Sequence, residues 1–237
     1  HARCESGEKM EIVSKSYLSI YGVISTYVLY KCLSRLNANV YYHIPDRIKE
    51  GYGINEVIIK NAKKDEVDLI ITCDNGISAI DQIELAKELG IAVIVTDHHD
   101  VPFKEDIDGK REFIIPSADC VVNPKQLDCM YPFKGLCGAG VVYKLMEALY
   151  NEYSIDKSEV IDLLQYVSIS TVCDVVDLVD ENRIIVKKGL ELLNNTDNIG
   201  LNALFEETGV KDKKITVYTL GFILGPSINA SGRLEQA

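Results

Sequence analysis

The chain reads as an α/β protein: a parallel-sheet αβα domain followed by a mostly helical region. Three observations predict this. Residues 67–73 and 91–96 are short, nearly unbroken apolar runs, the pattern of strands buried on both faces of a parallel sheet. Between them, Ile77, Ile80, Ile83, Leu85 and Leu89 mark an amphipathic helix ending at Gly90. The result is a β-α-β unit, whose right-handed crossover lays both strands parallel in one sheet. Beyond Gly138 the apolar period turns helical and stays so.

Taken in order, strands and helices alternate from about Glu11 to Pro124. Residues 23–36 form a helix, 38–44 a strand and 55–64 a second helix. The run 67–73 is a strand closing on Asp74-Asn75-Gly76, 77–89 the crossover helix, and 91–96 the next strand. Residues 102–116, rich in charge, are read as a loop, and 120–123 as the last strand. The helical part carries Val141, Leu145 and Leu149, then Val160, Leu163, Leu164 and Val167, then residues 184–193. Glycines between Gly135 and Gly140 make a candidate hinge. The division is therefore 1–136 for the parallel α/β part and 137–237 for the helical part.

At 237 residues the chain can bury a large core as one or two domains. No apolar run reaches the length of a membrane span. The opening HARCESGEKM lacks the apolar centre of a signal peptide. Seven cysteines, an odd number without a C-x-x-C pair, argue for a reduced cytoplasmic location rather than a disulfide framework. Cys73 and Cys173 each precede an acidic residue of interest and are read as small core residues. The net charge of −11, from 25 basic and 36 acidic residues, works against phosphate binding, which rests on Lys and Arg. Lys60, Lys63 and Lys64 form one small basic cluster, read as a solvated helix face. No aromatic-basic interleaving of the kind single-strand grooves use is visible along the chain.

The chemistry-bearing stretch is VIVTDHHDVP, residues 93–102. A buried parallel strand delivers Asp97, His98 and His99 at its C-terminal end, the edge where α/β sheets gather ligands. Asp with His is a ligand set for divalent transition metals. The preceding strand repeats the design with Asp74 and a glycine turn, 23 residues upstream, so both acids end on the same edge. A third acid, Asp174, sits in an otherwise apolar segment, 169–178, with no basic neighbour. A buried unpaired carboxylate is costly, so Asp174 either faces water or has a cation to hold. Adjacent side chains on extended backbone point opposite ways, so only one of the two histidines, His98, is expected at the ion.

These segments together resemble the DHH phosphoesterase superfamily and, within it, the RecJ-type single-strand-specific exonucleases. The resemblance is carried by IPDRIKEGYGIN (44–55), CDNGISA (73–79), TDHHDVP (96–102), VVNPKQLDCMYPFKGLCGAGVVYKL (121–145), VCDVVDL (172–178) and GPSINASGRLE (225–235). The triplet alone marks the superfamily, whereas the stretch around Tyr131-Pro-Phe-Lys-Gly and the closing Ser-Gly-Arg-Leu narrow it. It implies a phosphodiesterase using two Mn²⁺ or Mg²⁺ ions and releasing nucleotides from a 5′ end of single-stranded DNA. By the same resemblance Asp74, His98 and Asp174 are metal ligands, and Asp97, His98 and His99 form the catalytic triplet. Arg233 would contact a substrate phosphate, for which a guanidinium offers a fixed fork.

One motif departs. The resemblance calls for an Asp-x-Asp-x-Asp-Gly turn before the first helix, where this chain has Tyr17, Ser19 and Tyr21 ahead of Gly22. No carboxylate lies between Glu11 and Asp46. Neutral hydroxyls are weak ligands for a hard divalent cation. The remaining ligands suffice for one ion, and slow hydrolysis is expected. RecJ-type chains also continue past Ser-Gly-Arg-Leu into domains that grip the strand, so weak DNA affinity is expected of this span. Two other readings remain: a DHH phosphodiesterase for short oligonucleotides or cyclic dinucleotides, and a non-catalytic remnant that binds nucleic acid or protein.

Overall fold

The computed structural model describes residues 9–14, 20–45 and 50–234, with backbone alone for Ser14 and residues 231–234. Its sheet has the order β2-β1-β3-β4-β7, with every neighbouring pair parallel. The strands are β1 (Lys9–Ser14), β2 (Asn39–His43), β3 (Leu69–Cys73), β4 (Ala92–Thr96) and β7 (Cys120–Val122). Four of these fall where the sequence predicts strands, and β1 adds a fifth. All residues of β3 are buried, as its unbroken apolar run requires.

Alternation along the strands divides the core in two. Met10, Ile12, Leu69 and Ile71 face one side, with α1 (Ile20–Arg35) and α4 (Gly138–Glu152). Val13, Ile70, Val93 and Val95 face the other, against Ile58 and Ile59 of α2 (Glu56–Lys64) and Ile83 of α3 (Ile80–Glu88). This is the predicted αβα layering. Asn55 starts α2 by accepting hydrogen bonds from the Val57 and Ile58 amides at 2.9 and 3.0 Å.

The charged segment 102–116 is not all loop. It contains an antiparallel hairpin of β5 (Phe103–Glu105) and β6 (Arg111–Phe113). Its charges hide cross-strand pairs: Phe103 opposes Phe113, and the Arg111 guanidinium lies 4.4 Å from the Phe103 ring while bonding Glu105 at 2.9 Å. Asp106 closes the turn by accepting from the Asp108 and Lys110 amides.

Seven helices and one π-helical turn make up the rest: α4, α5 (Lys157–Ile161), α6 (Leu164–Cys173), α7 (Asp180–Leu193), α8 (Ile199–Glu207), α9 (Val217–Thr219), the turn Leu220–Leu224 and α10 (Gly225–Leu234). Their apolar faces join the α1 side of the sheet in one continuous cluster that includes Leu29, Val142, Met146, Val167 and Leu224. Gly189 lets α7 lie on α6, since a Cβ there would stand 2.3 Å from Ser168. Among the described residues, no helix is long and apolar enough to cross a membrane.

Candidate metal centre

β3 and β4 stop side by side, with Cys73 paired to Thr96, so Asp74 and Asp97 leave the sheet at the same edge. Asp74 is fully buried and held at φ +59°, its amide donating to the Thr96 carbonyl at 3.0 Å. Gly76 makes the following turn at φ +112°, where a Cβ would meet Thr72 Oγ1 at 2.5 Å. Asp97 is likewise buried and anchors its surroundings. Its Oδ2 accepts from the Ile77 amide at 2.9 Å, and its Oδ1 accepts from the His98 amide at 2.8 Å. The same Oδ1 lies 2.6 Å from His99 Nδ1. Burial works against the Asp97 anion, but the His99 ring and the Ile77 and His99 amides outweigh it and hold the carboxyl below its ordinary pKa.

His98 is the hub. Its Nε2 lies 3.0 Å from Asp74 Oδ1 and 3.4 Å from Asp174 Oδ2. Burial disfavours the imidazolium, yet the hydrogen bond and charge of Asp74, with Asp174 and Asp97 behind it, raise the His98 pKa above its ordinary value. Asp174 arrives from the helical part, as the residue capping the C-terminus of α6. Val175 after it sits at φ +58°, a strained conformation for a β-branched residue and a second one beside the site.

His99 joins the group, contrary to the expectation that adjacent histidines diverge. Strand β4 ends at Thr96, so the period-2 rule no longer governs residues 98 and 99. Their rings lie 4.5 Å apart, and ligand atoms of Asp74, His98 and His99 fall within 4.8 Å of one another. Asn123, just after β7, donates to the His99 carbonyl at 2.9 Å and steadies the turn.

Two further contributors carry no chemistry of their own. Gly138, read from sequence as part of a hinge, brings the start of α4 onto Asp74: a Cβ would stand 2.5 Å from Asp74 Oδ1. Tyr21 donates its hydroxyl to the Cys173 carbonyl at 2.9 Å, next to Asp174. Burial and the charge of Asp174 push its pKa up, so it stays a neutral phenol. Tyr17 and Ser19 lie outside the described residues, as does the Arg233 side chain; the α10 backbone that carries Arg233 is described. Asn229, one turn before it, accepts from the Ile20 amide at 3.2 Å and brings α10 to the head of α1. The thiols beside the acids are inert: burial pushes Cys73 up to about 12 and Cys173 up to about 11. Next to His99 opens a cavity of about 300 Å³, lined by Tyr52, Gly53, Asn75, Ser78 and Gln82 together with Asp74 and Asp97. Asn75 ties its wall together, accepting from the Ile54 amide and donating to the Val13 and Cys73 carbonyls.

Two carboxylates and two imidazoles grouped at a sheet edge suit a divalent cation such as Mn²⁺. The model of the DHH family, N-terminal domain, matches residues 21–170, across Asp74 and the triplet. The chain belongs to the DHH family. Among curated relatives, the single-stranded-DNA-specific exonuclease RecJ of Bacillus subtilis is 42% identical over 97% of this chain and 28% of its own length. The RecJ of Escherichia coli is 36% identical over 84% of this chain and 34% of its own. The chain thus spans about a third of these DHH relatives. Solved structures agree. An exonuclease RecJ bound to manganese superposes with a TM-score of 0.80 at 29% identity, over 96% of this chain and 54% of that one. The RecJ of Thermus thermophilus in complex with Mn²⁺ gives 0.75 at 27%, over 96% and 30%.

Proposed function

We propose that this chain is the catalytic core of a Mn²⁺- or Mg²⁺-dependent phosphodiesterase that removes nucleotides from the 5′ end of single-stranded DNA. The observation that carries it is the convergence of Asp74 and Asp174 on His98, with His99 beside them. The donor set fits one ion. Asp74, His98 and Asp174 would hold it, with His99 at its rim, and among the described residues no second group of metal-ligating side chains stands in for Tyr17, Ser19 and Tyr21. A bound divalent ion supplies Lewis-acid stabilisation of the phosphate and a water of lowered pKa.

The chain's own residues do the rest. Asp97 orients His99 through Nδ1. Burial around His98 excludes bulk water and strengthens each charge interaction. The cavity beside His99 gives the terminal nucleotide a seat, and Arg233 is assigned the substrate phosphate. The parts 1–136 and 137–237 act as one core, because His98 and Asp174 come from opposite sides of that boundary. Tight strand binding is assigned to the remaining length of the longer relatives, which a chain of net charge −11 needs. Similarity to a RecJ exonuclease at 42% identity over 97% of this chain favours this reading over a phosphodiesterase of short oligonucleotides or cyclic dinucleotides. A reducing, cytoplasmic setting suits six described cysteines that are all free thiols.

The test is hydrolysis of 5′-labelled single-stranded DNA with Mn²⁺. Slow release of nucleotides is expected from the chain as it stands. The triple variant Tyr17→Asp, Ser19→Asp, Tyr21→Asp should be at least about tenfold faster if a second ion returns. Absence of cleavage by both forms would defeat the proposal.

A further inference from the structure

Asp74 and Asp174 reach the metal centre from different parts of the chain, so something must fix the distance between them. Asp74 follows β3, and the start of α4 lies against it: a Cβ on Gly138 would stand 2.5 Å from Asp74 Oδ1. Asp174 caps α6, on a turn whose next residue, Val175, is held at φ +58°. A β-branched residue keeps that conformation only where its surroundings impose it.

Those surroundings include Asn182, in the first turn of α7 and fully buried. Its Nδ2 donates to the Gly135 carbonyl at 2.7 Å and to the Asp177 carbonyl at 2.9 Å. Gly135 lies three residues before Gly138, and Asp177 three residues after Asp174. One planar amide thus clasps the segment that rests on Asp74 to the turn that carries Asp174. Both Nδ2 hydrogens are used, while the buried Oδ1 has no partner among the described residues. A buried acceptor left unpaired is unfavourable, and the two bonds from Nδ2 are what offsets it. Glu181, the preceding residue, grips the same segment by accepting from the Tyr131 hydroxyl at 2.6 Å.

We propose that Asn182 is a positioning residue for the metal centre: its amide sets the separation of Asp74 and Asp174, and with it the affinity of the chain for Mn²⁺. The inference rests on the metal centre of the proposed nuclease, to which it adds the part that holds the two carboxylates at the spacing of one ion. Asn182 itself touches neither ion nor substrate and acts through Asp174.

The experiment titrates the full chain with Mn²⁺ in the absence of nucleic acid, reading free Mn²⁺ by electron paramagnetic resonance, with urea unfolding in EDTA alongside. Asn182→Leu keeps the bulk without a donor and should bind Mn²⁺ about tenfold more weakly than the parent, as loss of a group supporting metal ligands does. Asn182→Ser keeps a hydroxyl donor for one carbonyl and should lie between the two. Should Asn182→Leu fail to fold, Asn182→Ser carries the same comparison. The decisive background is Asp174→Asn. There Asn182→Leu should weaken Mn²⁺ binding no further, while its lowering of the urea midpoint persists. A lowered urea midpoint with unchanged Mn²⁺ affinity of the folded chain would overturn the inference and leave the nuclease reading standing. Equal weakening in both backgrounds would also overturn it, because the effect would not pass through Asp174. The expected coupling without any cleavage of single-stranded DNA would support the inference and remove the nuclease reading. Failure of the parent to bind Mn²⁺ would overturn both.

Discussion

His98 concentrates the site's electrostatics, its Nε2 lying 3.0 Å from the Asp74 and 3.4 Å from the Asp174 carboxylate. Mn²⁺ should raise the melting temperature of the chain, because it binds the folded site and not the unfolded chain. His98→Ala should abolish that rise in a thermal-shift titration, and an undiminished rise would place the ion elsewhere. Asp97 gives a pH signature. Its carboxyl titrates below the ordinary 3.8, so its contribution to stability is full above that value and is lost as pH falls through the lowered folded-state value. Urea midpoints of the parent and Asp97→Asn should therefore converge only as pH falls below 3.8, and parallel curves there would show that Asp97 is not held as an anion. Gly138 was legible as a glycine but not as a contact. Its role emerges only because α4 starts against Asp74, and Gly138→Ala should cost about 1–3 kcal/mol and weaken the Mn²⁺ response.

At the level of elements, the β3-α3-β4 unit was readable from residues 67–97 because apolar runs, an amphipathic helix and a glycine stop agree there. The hairpin at Phe103–Phe113 was not, since its pairing depends on which charge lies opposite which ring. Helix contacts were equally hidden. α6 and α7 pack directly on each other, and Gly189 permits it with Ser168 and the Leu164 carbonyl less than 2.5 Å from where a Cβ would stand. Gly189→Ala should destabilise by about 2–3 kcal/mol in urea, as overpacking that backbone atoms resist. A neutral result would mean that α7 can shift on α6 to make room for the methyl group.

For the whole molecule, the continuous cluster through Ile12, Leu29, Met146 and Val167 makes the sheet depend on the helices that follow it. A fragment ending at residue 136 would expose the α1 face and lose Asp174. It should show no cooperative thermal transition, and a sharp one would establish that the α/β part folds by itself.

By itself the sequence determined the strand-ending acids and the parallel layering, because a strand's apolar run and its C-terminal polar residue are local and contiguous. It also held the family's segments in order, which made Asp174 a candidate across 77 residues from Asp97. Only the tertiary structure decided that His99 turns to the same side as His98, since this depends on where β4 stops. Likewise it alone placed Asp174 3.4 Å from His98 and joined Tyr27, Tyr30 and Tyr42 into one surface. Those facts depend on how helices α1, α6 and α10 close over the sheet, and packing between distant segments leaves no periodic trace along the chain.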